Sequence, residues 1–308
     1  MPRYRILACD GGGIAGVLTL VVIERILKEF PNFLTHVDLF AGTSTGGIIA
    51  LGLANGMHPR DIRVLYEQKG SLIFRDSWLD DAMDIGNMIG ANYDNRGLEQ
   101  ELRAIFGTTT LGAIPKGVLV PAFDLDNAAP DPQRRSWQAK FFSNMGGIYG
   151  DREVPAYKVG MYTCAAPTYF PVYEGFIDGG VVANNPSVAA IAHAIDTRKN
   201  PAAPRLDDIA LCSLGVGHSL RYITGERLDW GYAQWARPLV NILINGVMGV
   251  ADYQCRQFLR DRYWRLNPVF PAGTDVALDD VARVGYLVEV AQQLDLTETM
   301  LWIDRCWR

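Results

Sequence analysis

Ser44 lies in the segment Gly42-Thr43-Ser44-Thr45-Gly46, a Gly-x-Ser-x-Gly turn of the kind that presents a serine hydroxyl as a nucleophile. Flanking glycines let the backbone bend sharply and let a substrate come close. With eight serines and 31 glycines in 308 residues, only about 0.1 such matches are expected by chance, so the turn points to acyl chemistry rather than coincidence. A serine nucleophile needs a base. Asp178, followed by Gly179-Gly180, could take the proton itself if partial burial raises its pKa. In a Ser-Asp-His triad it would instead orient a histidine. His218, in Leu-Gly-Val-Gly-His-Ser at a strand end, is then a better candidate than His193, which falls mid-helix. The ordinary accounts of the same residues are a serine in a tight turn and an Asp-Gly turn acid.

A second glycine-rich turn, Asp10-Gly11-Gly12-Gly13-Ile14-Ala15-Gly16, admits two readings. Gly11, Gly13 and Gly16 satisfy Gly-x-Gly-x-x-Gly, the dinucleotide-binding fingerprint, which expects an acid near the end of the second strand to hold a ribose. The second strand instead starts at Asp38 and runs into Gly42-Thr43-Ser44, so the acid stands at the wrong end. Three consecutive glycines suit an oxyanion hole better, with backbone N–H groups turned toward a tetrahedral intermediate.

These residues need elements to hold them. Tyr4 to Cys9 and Val37 to Ala41 read as strands, each followed by a glycine turn and a helix, over Ile14 to Phe30 and Gly46 to Asn55. That alternation predicts an α/β fold with a mainly parallel sheet. Further helices are expected at Pro59 to Lys69, Arg96 to Phe106, Ala156 to Ala165 and Pro186 to Thr197. Further strands are expected at Val118 to Phe123, Gln138 to Phe142, Val172 to Ile177 and Ile209 to Leu214. From Gly231 the chain reads as mostly helical, ending in Asp279 to Gln293 and Thr297 to Trp307. With no repeat, low-complexity segment or composition shift, one domain over 1–308 is expected, with the motif-bearing core at about 5–217 and a helical region at about 231–308.

Composition narrows the function classes. The chain is 49% hydrophobic and 20% charged with a formal charge of −5, so the basic footprint of a DNA or RNA binder is missing. Five scattered cysteines, Cys9, Cys164, Cys212, Cys255 and Cys306, form no CxxC pair. They suit buried free thiols better than disulfides or zinc. No secretory leader and no run of about 18 apolar residues is evident, so a cytoplasmic location is expected, with peripheral membrane contact open. Two apolar stretches could form a path from membrane to serine, Leu72 to Ile89 and Pro238 to Ala251. Both also fit ordinary core packing.

Taken together, Asp10 to Gly16, Gly42 to Gly46 and Asp178 to Gly180 resemble the patatin-like phospholipase family, whose motifs are DGGGxxG, GxSxG and a late DGG or DGA in that order. Tyr93 to Leu98, Ala165 to Pro171 and Asn184-Asn185-Pro186 resemble it as well. The resemblance implies a three-layer α/β/α fold and hydrolysis of glycerophospholipid esters through an acyl-enzyme. It implies a Ser44–Asp178 dyad, an oxyanion hole from Gly11, Gly12 and Gly13, and neither metal nor organic cofactor. Asp10, Gly16, Gly42, Gly46, Gly179 and Gly180 become supporting motif residues. One position departs: the family usually carries Arg or Lys before the last glycine of the first motif, and here Ala15 stands there, which bears on head-group preference. The family includes anti-phage effectors switched on by cyclic oligonucleotides, so the resemblance implies a membrane phospholipid substrate and leaves a cyclic oligonucleotide activator open, as the sequence leaves open a homo-oligomer. A general carboxylesterase with a Ser-Asp-His triad through His218, and a catalytically silent lipid-binding protein, are the alternatives.

Overall fold

The computed structural model describes residues 4–73, 91–146, 150–198, 200–225 and 228–307. Its centre is strand β1 (Tyr4–Cys9), which pairs in parallel with β2 (Leu39–Gly42) on one side and β6 (Ile209–Leu214) on the other. The sheet runs β4-β3-β2-β1-β6-β7, with β3 at Gly117–Asp124, β4 at Gln138–Ser143 and β7 at Tyr263–Leu266. A further strand, β5 (Phe176–Asp178), pairs with β3; it and β4 are the antiparallel members. The rest is parallel, as the alternation of strands and helices predicts.

Side-chain alternation along the strands divides the molecule into layers. Leu7, Cys9, Phe40, Val118, Val120, Cys212 and Leu214 enter one core. The intervening Ile6, Ala8, Leu39, Ala41, Leu119, Ile209 and Leu211 enter another. The first core is covered by α1 (Gly16–Glu29), α2 (Thr45–Ala54), α3 (Pro59–Gln68), α4 (Arg96–Phe106) and α5 (Ala156–Cys164). The second is covered by α6 (Ser187–Ala194) and by the buried end of α7 (Tyr232–Leu259). This is the three-layer α/β/α arrangement. All ten residues of α2 are buried, which a helix apolar on every side requires.

The C-terminal region returns to the first layer through α8 (Val284–Gln293) and α9 (Thr297–Cys306). Trp307 stacks on Phe33 and donates its indole N–H to the Phe33 carbonyl at 3.0 Å. The region is mostly helical, but β7 extends the sheet beside β6, and residues 267–280 after it are irregular. The expected strand over Val172 to Ile177 is shorter, because Glu174 and Gly175 turn the chain with φ of 47° and 86°. Of the two apolar stretches, 74–90 lies outside the described residues. The other is exposed over much of its length: Leu239, Val240, Ile242, Leu243 and Val250 are each between 43% and 57% accessible. Core packing does not account for them.

Candidate active site

Ser44 is placed by strain and by the bonds that resist it. Its φ of 54° and ψ of −125° are unfavourable for a residue with a side chain, by about 1–3 kcal/mol. The Ser44 N–H donates to Thr163 Oγ1 at 2.8 Å, and Thr163 donates in turn to the Pro121 carbonyl at 2.6 Å. On the other flank Thr43 Oγ1 donates to the Ala183 carbonyl at 2.6 Å. The Ser44 carbonyl accepts from Gly47 and Ile48, which starts α2. The hydroxyl is thereby lifted to a half-buried position between fully enclosed threonines. Glycine at 46 is needed because a Cβ there would collide with the Cys9 carbonyl as α2 crosses β1.

The register of β3 explains how Asp178 arrives at the same point. Strand β2 pairs with β3 only as far as Ala41 opposite Leu119. Further along that edge β5 takes over, running the opposite way, and it ends with Asp178 opposite Ala122. Two chains therefore stop facing each other on one edge, one leading into Ser44 and the other ending at Asp178. The Gly180 N–H donates to Asp178 Oδ1 at 2.6 Å, and the Ser44 side chain lies close enough to the Asp178 carboxylate to favour its charged form. Burial pushes the Asp178 pKa up to about 6, against the lowering effect of those two neighbours. A carboxylate so tuned is competent as a base near neutrality. The neighbouring Cys164 thiol is held neutral by burial, which raises its pKa well above the usual thiol range.

The glycine loop lies directly against the serine, since a Cβ on Gly11 would come within 3.2 Å of Ser44 Cβ. Its N–H groups are not equivalent. That of Asp10 donates to Leu214 at 3.0 Å, that of Gly11 to Asn184 at 3.1 Å, and that of Ile14 to Leu278 at 2.7 Å. Among the described residues those of Gly12 and Gly13 donate to no backbone carbonyl. Gly13 has φ +56°, and a Cβ there would strike the Leu278 carbonyl. Asn184 grips the loop from both sides of Gly11, because its side-chain amide also donates to the Gly11 carbonyl at 3.2 Å. Asp10 is fully buried, with both carboxylate oxygens bound by Arg265 of β7. The sequence motifs do not point to Thr163 or Arg265; the one visible sign of Arg265 is a lone cation within the apolar run Tyr263-Trp264-Arg265-Leu266.

A model of the patatin-like phospholipase family matches residues 7–191, a span holding the glycine loop, Ser44 and Asp178. The chain belongs to this family. A cGAMP-activated phospholipase of Pseudomonas aeruginosa is 30% identical over 275 residues, covering 87% of this chain and 79% of its own length. One from Escherichia coli is 31% identical over 313 residues, covering 91% and 85%. Protein teg of Priestia megaterium is 27% identical over 335 residues and is matched along 100% of both chains.

In this patatin-like chain an apolar cavity of about 60 Å³ opens beside Ser44, lined by Ile14, Ile48, Leu65, Leu98, Phe170 and others. A second, wider groove of about 940 Å³ lies on the other side of the loop, walled by Gly11, Gly12, His218, Arg221, Asn241 and Met248. His218 faces that groove, with Nδ1 3.1 Å from Asn267 Nδ2. His193 sits half-buried on α6. Neither Ser44 nor Asp178 lines the groove that His218 faces. Among the described residues no three His, Cys, Asp or Glu side chains converge as a metal site requires, and no helix is long and apolar enough to cross a membrane.

Proposed function

We propose that the protein is a phospholipase A-type lipid acyl hydrolase working through a Ser44–Asp178 dyad. The observation that carries this reading is that Ser44, on a strained turn and lining an apolar pocket, has the buried Asp178 carboxylate as its neighbour. Asp178 takes the Ser44 proton as Oγ attacks the ester carbonyl. The oxyanion of the tetrahedral intermediate is met by the N–H groups of Gly12 and Gly13, with α2 directing its positive end toward it. Collapse breaks the bond to the glycerol oxygen, which leaves with the proton from Asp178, and the acyl group stays on Ser44. Water, deprotonated by Asp178, then releases the fatty acid and restores the hydroxyl. The acyl chain lies in the pocket lined by Ile48, Leu65 and Leu98.

The setting is a membrane surface reached from the cytoplasmic side. The exposed apolar face of α7 supports peripheral contact, and five unpaired, buried cysteines fit a reducing compartment. Regulation by a cyclic oligonucleotide, in an anti-phage role, rests on the relatives named cGAMP-activated phospholipase. Mass-spectrometric product analysis on phospholipid vesicles, with and without a panel of cyclic di- and trinucleotides, tests both parts. Fatty acid and lysophospholipid are expected, strongly enhanced by one nucleotide and absent in Ser44→Ala. Full activity without any nucleotide would remove the regulatory part, and product formation by Ser44→Ala would remove the dyad.

A further inference from the structure

Three consecutive glycines have no side chains with which to hold a conformation, so the aim of the Gly12 and Gly13 N–H groups is set by what grips the loop from outside. The grip at its root is ionic. Asp10 follows Cys9 on the sheet face that carries Ala8, and the register places Ser213 beside Ala8 and Arg265 beside Ser213. The three polar side chains therefore gather on one face of the sheet, the face covered by α7. Arg265 Nη1 donates to Asp10 Oδ1 at 2.9 Å and to Ser213 Oγ at 2.8 Å, while Nη2 binds Asp10 Oδ2. The guanidinium side is 7% accessible and the carboxylate 0%. Burial pushes the Asp10 pKa up and Arg265 opposes that shift, with Asp252 of α7 adding a second negative charge nearby. With the Asp10 N–H held by Leu214, residue 10 is fixed through both main chain and side chain, two positions before Gly12.

We propose that Arg265 is the positioning residue of the oxyanion loop, its planar fork fixing Asp10 and through it the direction of the Gly12 and Gly13 N–H groups. This rests on the reading of Ser44 as nucleophile. A fork bound to both carboxylate oxygens sets an orientation, which the point charge of a lysine does not. The residue comes from β7, beyond the segment matched by the family model.

The test uses the full chain. Fluorophosphonate labelling that is lost in Ser44→Ala establishes the nucleophile; its failure sinks that reading before Arg265 is in question. Arg265→Lys is then compared with wild type on a soluble short-chain ester, normalised to active sites by burst titration. An alkyl trifluoromethyl ketone, which adds to serine to form a tetrahedral oxyanion, serves as the second probe. Expected is a fall in kcat of about 10- to 100-fold, the scale of a misplacement near 1 Å, with KM within about twofold. Affinity for the ketone should fall in step with kcat/KM. A buried carboxylate left without its partner destabilises a fold, so Asp10→Asn combined with Arg265→Gln, which removes both charges, provides a second variant with the same expected loss. A folded variant of either kind with kcat within threefold of wild type overturns the proposal. So does a fall in kcat with unchanged ketone affinity, since that is what a merely structural ion pair would give.

Discussion

Asp178 is pulled in two directions, and the balance sets a measurable pH dependence. Burial disfavours its charge, the Ser44 side chain and the Gly180 N–H favour it, and burial prevails to give a pKa of about 6. As the proposed base, Asp178 must be deprotonated to act, and its pKa is raised above the ordinary carboxylate value. Activity is therefore present above pH 6 and lost as pH falls through it, by about tenfold per unit in kcat/KM. A histidine titrates in the same range, so the profile is read beside two substitutions. Asp178→Asn should lower kcat by about 10²–10⁴-fold in a steady-state ester assay, whereas His218→Ala should stay within threefold. A 10²-fold loss in His218→Ala would restore the triad. Gly13→Ala sits at the same scale: its positive φ and the Leu278 carbonyl predict a folded but less stable protein, by about 1–3 kcal/mol in thermal or denaturant unfolding. Its kcat should fall about 10²-fold or more, the cost of an oxyanion donor.

At the scale of elements, the apolar pocket beside Ser44, the proposed acyl site, lies between α2, α3, α4 and the helical turn Gly70–Ile73. Ile73 is half-buried at its margin, so a larger side chain there obstructs the pocket without overfilling the core. Ile73→Trp should depress turnover of long-chain esters at least tenfold while sparing butyrate, since each methylene denied the pocket forfeits about 0.8 kcal/mol; equal effects on both chain lengths would place the acyl group elsewhere. The elements that carry the motifs were legible in the sequence because their signals are local. The turn at Ser44 announces itself by glycine spacing, and α4 runs from Arg96 to Phe106 as its periodicity predicts. What was not legible depends on pairing between distant segments. Nothing near Asp178 reveals that β5 occupies the edge of β3 that β2 leaves free, nor does Arg265 reveal that it faces Asp10. The expected helix from Asp279 starts only at Val284, in a stretch where the Asp279 carboxylate accepts from the Tyr93 hydroxyl at 2.6 Å.

The whole molecule presents an apolar face on one side of its α7 layer. The C-terminal part of α7 is anchored through Ala251, Cys255 and Leu259, whereas Leu239, Val240 and Leu243 nearer its start remain exposed. Leu220 and Tyr222, at 67% and 85% accessible, also border the wide groove. Inserting such side chains into a bilayer gains about 1.5–3 kcal/mol each when fully buried. Leu239→Asp with Leu243→Asp should therefore weaken vesicle binding by at least tenfold in co-sedimentation. Hydrolysis of a soluble ester, which needs no surface, should be unchanged. Vesicle binding that survives the double substitution would assign the face another role.

The carbonyl of Leu278 that receives the Ile14 N–H bears on modularity. Ser44, Asp178 and all the glycines of the first turn lie within residues 7–191, and the groups that hold that turn include Arg265 and Leu278, which do not. A chain cut after the matched segment would keep Ser44, Asp178 and the glycines while losing Arg265, the Leu214 carbonyl that receives the Asp10 N–H and the Leu278 carbonyl that receives that of Ile14. Recombination among relatives is limited in the same way. A C-terminal segment can be exchanged between homologues only if the incoming piece brings its own cation to Asp10 and its own carbonyl to Ile14. The two parts of the chain are thus coupled by geometry, although Ser44, Asp178 and the glycines of the first turn all sit in one of them.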